Sequence, residues 1–176
     1  RDSDPDGALY WMQRMLSGGE DPLYIARRLI RFASEDIGMT DPHCLQTAVA
    51  AYQASHFIGM PECEVNLAQA VVHCSIAPKS NALYQAINQI KFDINKTGNL
   101  EVPLHIRNAP TKLMKELNYG KNYKYAHNFE NAFVAQEHLP SALKDHRYYH
   151  PTDRGLELKI KEKLNLTFGV RLVNWN

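Results

Sequence analysis

The chain is short of nearly everything that announces a reaction. No G-x-x-x-x-G-K run followed by Ser or Thr occurs, and no G-x-G-x-x-G follows a strand, so no phosphate-binding loop is present. No serine stands in a nucleophile elbow. Cysteine is scarce: Cys44, Cys63 and Cys74 are odd in number and loosely spaced, which fits free thiols in a reducing compartment better than a disulfide framework. No apolar run approaches the roughly 20 residues that cross a bilayer, and no segment reads as a signal peptide. Bulk charge is almost absent at +1, which excludes a general attraction to nucleic acid or acidic membranes. Internal repeats and low-complexity tracts are missing as well.

Two further chemistries are weighed and set aside. His43, Cys44, His56, Cys63, His73 and Cys74 fall within 32 residues, yet none has zinc-site spacing. They read as helix residues, and no metal is expected. Glu35 and Asp36 are a carboxylate pair of the kind that does acid–base work. They read instead as partners for Arg27, Arg28 and Arg31 on a solvated or subunit-facing surface. No nucleophile, base and orienter can be named together, so no catalytic residue and no cofactor site is expected.

What is present is an ordinary globular composition: 176 residues, 44% hydrophobic and 22% charged, enough for one domain with a single core. Charge is unevenly placed. Residues 1–42 hold eight acids and five arginines, whereas residues 105–128 hold five bases and one acid. The chain opens on Arg1 rather than Met, and it reads as a piece of something longer.

Helix signals dominate. Asp4-Pro5, Asp21-Pro22 and Asp41-Pro42 each place a capping carboxylate beside a proline that needs no donor partner. The first helix is expected over Asp6–Leu16, stopping at Gly18-Gly19. The second carries Leu23, Ala26, Leu29, Ile30, Ala33 and Ile37 at helical spacing, then Gly38. The third carries Leu45, Ala48, Val49, Tyr52 and Ile58, then Gly59. A fourth follows Gly59–Glu62 with Val65, Ala68, Val71, Val72 and Ile76 inward, and Pro78 ends it. Ser80 caps a fifth, in which Leu83, Ile87, Ile90 and Ile94 recur, closed by Gly98. Beyond that, residues 99–110 should be extended, and residues 111–117 form a short helix with Leu113, Met114 and Leu117 inward. Residues 151–164 form a last helix with Leu156, Ile160 and Leu164 four apart. The tail, 167–176, alternates weakly like a strand. Short connections favour an all-α helical bundle of six to eight helices. The halves 1–98 and 99–176 are expected to pack as one unit.

The stretch from Arg107 to His127 interleaves bases and tyrosines as no other stretch does. Three readings remain open, in this order. It packs structurally, with Pro110 and Gly120 fixing an irregular path and Asn108 and Asn118 bonding to backbone. It docks on another subunit or module. Or Arg107, Lys112, Lys115, Lys121 and Lys124 touch DNA phosphates while Tyr123 and its neighbours stack. Lys79 is a weaker candidate of the same kind. Arg27, Arg28, Arg31 and Glu35 read as salt-bridge formers within or between chains before they read as DNA contacts.

Six strings in order, "GGEDPLYIARRLIRFASEDIG" (18–38), "GMPE" (59–62), "LAQAV" (67–71), "APKSNALYQA" (77–86), "VPLHIRNAPTKLMKEL" (102–117) and "YGKNYKYAH" (119–127), resemble the C-terminal region of the RarA/MgsA replication-recombination ATPases. These are relatives of the Werner-helicase-interacting protein and of clamp-loader subunits. The likeness runs from about Asp4 to Leu164. It implies a single clamp-loader-collar-like helical domain following an AAA+ module, one that joins copies of itself into a homotetramer. It implies ATP and magnesium in that module and none here, with DNA and single-strand-binding protein as partners of the parent at stalled forks. It implies a cytoplasmic, nucleoid-associated setting and no membrane. Pro78, Ser80, Asn81, Asn108, Pro110 and Gly120 are the structural residues of the matching motifs. Asn118, Asn128 and His138 depart from the family pattern, and residues 167–176 have no counterpart. On this view helices one, two and five supply a second apolar face that buries more than about 2,000 Å² against copies of the chain. The rival reading is a monomeric DNA- or protein-recruitment module that uses residues 105–128.

Overall fold

Asp-Pro pairs open helices here by direct carboxylate contacts. Asp4 Oδ1 accepts from the Gly7 amide at 3.0 Å, Asp21 Oδ1 from Leu23 at 2.9 Å and Asp41 Oδ1 from His43 at 3.1 Å. Each contact satisfies one of the amides a helix start leaves unpaired. The computed structural model describes residues 1–168, and among them the chain is all-α with no strand. Its helices are α1 (Pro5–Ser17), α2 (Pro22–Phe32), α3 (His43–Ile58), α4 (Cys63–Ile76), α5 (Ala82–Thr97), α6 (Lys112–Glu116) and α7 (Gly155–Phe168). α2 does not run unbroken to Ile37. It widens into a π-helical turn, Ala33–Ile37, and tightens into a 3₁₀ turn, Gly38–Thr40. The expected tail strand, from Gly169 on, lies outside the described residues. Thr167 and Phe168 belong to α7.

The described residues divide into two compact units, Arg1–Asn88 with Tyr149–Lys163, and Gln89–Tyr148 with residues 164–168. In the first unit, Met12, Leu16, Ile25, Ala26, Leu67 and Val71 form one apolar cluster. Ala33, Ile37, Cys44, Ala48, Cys74 and Ala77 form another. Several helices are rotated from the expected setting. α3 buries Cys44, Ala48, Ala51 and Ser55, leaving Leu45, Val49 and Ile58 exposed. α4 buries Cys63, Leu67, Ala70, Val71, Cys74 and Ser75, leaving Val65 and Ile76 75% and 65% exposed. α5 buries Ala82 and Ala86 and exposes Leu83, Ile87 and Ile94. The physical reason is shared. Small side chains let helix axes approach closely, and the dispersion attraction summed along the whole crossing outweighs the area of a few larger residues.

The segment after Tyr149 returns to the first unit. Glu157 on α7 is fully buried and accepts from Tyr149 Oη at 3.0 Å and from the Thr152 amide and hydroxyl at 2.8 Å each. The inward face of α7 therefore runs Glu157, Ile160, Leu164, and the expected Leu156 stands exposed. Gly155 opens the helix at φ +52°, where a Cβ would stand 2.3 Å from the Thr40 carbonyl oxygen.

The second unit is built differently. Among its described residues only Asp93 is buried. Its Oδ1 accepts from Gln89 Nε2 at 3.2 Å, and His146 Nε2 lies 3.6 Å from Oδ2. Residues 99–110 include a 3₁₀ turn at Leu104–Ile106 rather than one extended run. In α6 only Met114 is half-buried, while Leu113 and Leu117 are exposed, contrary to the expected inward stripe. Five residues are too short a helix to bury two faces.

Candidate functional site

The residues singled out by sequence lie on both units, and several further large apolar side chains of the first unit face solvent. On the first unit, α1 turns Met12 and Leu16 inward, which forces Tyr10, Trp11 and Met15 outward. Tyr10 and Trp11 stack edge to face, with ring centroids 5.3 Å apart. Val65 and Ile76 on α4 and Phe57 at the end of α3 are further large apolar side chains left in solvent.

Two of the three arginines of α2, Arg27 and Arg31, have partners within the chain. Arg31 Nε donates to Glu35 Oε2, which lifts the Arg31 pKa further above its ordinary value through that hydrogen bond and the carboxylate charge. Arg27 lies 3.6 Å from Asp21 and over the Tyr24 ring at 5.9 Å. Asp36 pairs with Arg1 at 3.2 Å. Arg28 is exposed.

The "APKSNA" motif works as a joint. Thr40 Oγ1 reaches the carbonyls of Ile37 and Pro78, each at 2.6 Å. The Ser80 amide donates to the Asp36 carbonyl at 2.7 Å, and Ser80 Oγ accepts from Ala82 at 3.2 Å. Lys79 Nζ donates to the carbonyls of Ser75 and Ala77, closing the end of α4. Asn81 O accepts from the Gln85 amide in the first turn of α5.

On the second unit the basic, tyrosine-rich stretch separates into one internal arginine and several outward lysines. Arg107 donates to Val102 O at 2.6 Å, Glu101 Oε2 at 2.8 Å and Tyr119 Oη at 3.3 Å, and it lies over the Tyr119 ring at 5.0 Å. The Glu101 and Tyr119 bonds push its pKa further up. Gly120, at φ +71°, donates its amide to Leu104 O at 2.8 Å. Asn118 and Asn122 take left-handed backbone conformations, so Asn118 serves the path through φ. Asn108 and Pro110 stand exposed. Lys112, Lys115, Lys121, Lys124, Tyr123 and Tyr125 all face solvent.

Sequence reasoning missed one arrangement. His73 Nε2 lies 2.8 Å from Asp41 Oδ2, and His73 Nδ1 lies 2.9 Å from Thr47 Oγ1. A neutral His73 that donates from Nε2 to Asp41 accepts the Thr47 hydroxyl proton at Nδ1. The order resembles a hydrolase triad. Asp41 at the same time caps α3, so the set works as a clasp between the start of α3 and the end of α4. Nothing in the spacing of 41, 47 and 73 signals this, because only the α3–α4 crossing joins them. Among the described residues no three His, Cys, Asp or Glu side chains converge as metal ligands, and no helix is long and apolar enough to cross a membrane.

Residues 2–167 match the family described as MgsA AAA+ ATPase C terminal. The chain is 55% identical over 165 residues to replication-associated recombination protein A of Coxiella burnetii, covering 93% of this chain and 38% of that protein. It is 50% identical over 165 residues to the protein of the same name from Escherichia coli K12, covering 93% and 37%. It is 44% identical over 150 residues to ATPase WRNIP1 of Dictyostelium discoideum, covering 85% and 17%. The chain thus spans well under half the length of these relatives.

Proposed function

The chain belongs to the MgsA AAA+ ATPase C-terminal family, and from that premise we propose that it is an oligomerisation domain, joining copies of its parent protein into a homotetramer. One observation carries the reading. Small residues fill the helix crossings while large apolar ones, Trp11 at 66% and Val65 at 75% among them, are left outside. Burying such side chains against copies of the chain is worth about 25 cal/mol per Å² of apolar area, the main favourable term in association. The second unit adds to the same reading, since Val102, Leu104, Leu113, Leu117 and Phe129 are exposed and no apolar residue is buried among its described residues.

The piece itself carries no reaction in this proposal. ATP and magnesium belong to a module outside the chain, and the parent is a DNA-dependent ATPase of replication and recombination acting at stalled forks in the cytoplasm. Its partners are DNA and single-strand-binding protein. Light scattering of the 176-residue chain at micromolar concentration tests the central claim. Four chains per particle are expected, and Trp11→Glu with Val65→Glu should lower that number. A monomer overturns the proposal.

The exposed lysines support a second reading, an anionic partner at Lys112, Lys115, Lys121 and Lys124. In the full-length parent, Lys112→Ala with Lys121→Ala should flatten the salt dependence of DNA binding by about two phosphate contacts. Unchanged affinity and slope would remove this reading without touching the first.

A further inference from the structure

Cys44 on α3 and Cys74 on α4 face each other across the crossing of those helices, sulfur to sulfur at 3.2 Å. Both are free and buried, 0% and 2% exposed. The third thiol, Cys63, stands apart at the start of α4, with its sulfur 3.5 Å from Met60 Sδ. Apolar packing does not need two thiols here. Ala48 on α3 and Ala77 just past α4 fill the same cluster without sulfur.

The two sulfurs are not equivalent. Cys44 donates its S–H to Cys74, and that bond, followed by burial, pushes the Cys44 thiol up. The same bond pushes the Cys74 thiol down; burial opposes that shift, and the Lys79 ammonium, held on the Ser75 and Ala77 carbonyls, reinforces it. Cys74 is therefore the sulfur suited to attack an oxidant, and Cys44 the one suited to resolve the product.

We propose that Cys44 and Cys74 form an oxidation site at which a hydroperoxide closes an intrachain disulfide between α3 and α4. A disulfide holds its sulfurs at about 2.05 Å, so closure asks each to move by roughly 0.6 Å. In the first step the Cys74 sulfur takes one oxygen from hydrogen peroxide. The O–O bond breaks, the thiol proton leaves with the other oxygen as water, and Cys74 becomes a sulfenic acid, oxidised by two electrons. In the second step the Cys44 sulfur attacks that of Cys74. The S–S bond forms, the S–O bond breaks, and the departing hydroxide takes the Cys44 proton as a second water. Two thiols and one peroxide give one disulfide and two waters. Burial makes local opening of the crossing the gate, so the reaction is slower than at an exposed thiol. The proposal is independent of oligomeric state.

The test treats the 176-residue chain with hydrogen peroxide, then unfolds it in the presence of iodoacetamide and weighs it. The expected product is about 2 Da lighter before alkylation, accepts one alkyl group where the three free thiols of the untreated chain accept three, and yields a Cys44–Cys74 peptide that dithiothreitol separates. Its Tm should rise on the order of 5 °C, because the bond closes a long loop in the unfolded chain. Cys63→Ser should leave all of this intact. Cys44→Ser should abolish it and leave a Cys74 sulfenic acid that dimedone traps. Three alkylatable thiols after treatment, a disulfide involving Cys63, or Cys74 carried to sulfinic acid in the unaltered chain would each overturn the proposal.

Discussion

The two units of this chain use opposite means to hold a fold. The first, residues 1–88 with 149–163, is a set of helices whose crossings are filled by alanine, cysteine and serine around Ile37 and Leu67. The second, residues 89–148 with 164–168, buries one described side chain, Asp93, and ties its backbone with side chains: Arg107 to Val102 O, His105 to Glu137 O, and Gln136 to the backbone N–H and carbonyl of Lys124. The difference teaches where stability and recognition reside. Close packing is cooperative and dry, so a single polar insertion is felt throughout it. A loop network is a sum of bonds worth about 1 kcal/mol each, open to solvent and open to a partner.

The comparison can be broken most forcefully at Glu157. Its carboxylate is the hub of the segment that returns to the first unit. Glu157→Ala leaves the Tyr149 hydroxyl and the Thr152 donors without an acceptor, and it should cost about 4 kcal/mol in urea unfolding, with Glu157→Gln recovering part of it. A loss below about 1 kcal/mol would show that this buried carboxylate is not structural. Next is Gly155→Ala. It adds a Cβ that meets the Thr40 carbonyl at a positive φ, and about 3 kcal/mol should be lost because backbone has to move. Folding unaffected by that change would mean the contact between Thr40 and the start of α7 is dispensable.

Alkaline titration probes the first unit by a different route. Tyr149 is held protonated by burial and by its bond to Glu157, which raises its pKa. A raised folded-state pKa contributes stability below the unfolded value, about 10, and that stability is lost as pH climbs past it. Stability should therefore fall above about pH 10, and Tyr149→Phe should flatten the fall. An unchanged profile in that variant would assign the alkaline loss elsewhere. The smallest effect is expected at Arg107, whose guanidinium donates to three groups on a loop surface. Arg107→Ala should show as faster hydrogen exchange confined to residues 101–124, with the first unit unchanged. Exchange rising equally in both units would erase the distinction between them.

Element existence was legible wherever a local rule acts alone. Asp4, Asp21 and Asp41 cap starts, Gly98 closes α5, and Pro78 ends α4 because these residues answer unpaired backbone groups within one turn. Facing was legible along α2 and its π-helical extension, where Ala26, Ala33 and Ile37 are buried as their spacing implies, and failed for much of α3, α4, α5 and the start of α7. Leu45, Val65, Ile87 and Leu156 have the right spacing and the right chemistry for a core, yet all are exposed. Hydrophobic periodicity assumes that the largest apolar stripe is the buried one. That fails where small residues allow closer approach and where a second surface needs apolar side chains. The candidate site was legible in part. The lysines and tyrosines of 112–125 stood out by composition, while the internal role of Arg107 depends on Glu101, Val102 and Tyr119 meeting in space.

The sequence by itself determined the all-α class, the positions of most helices and the family, because caps, breakers and long matched strings are written in consecutive residues. Only the tertiary structure decided which stripe of each helix is covered, that Glu157 is buried while Leu156 is not, that Asp41, Thr47 and His73 meet, and that Cys44 touches Cys74. Those outcomes depend on how closely two helix axes approach, and that distance is set by the side chains of both partners at once.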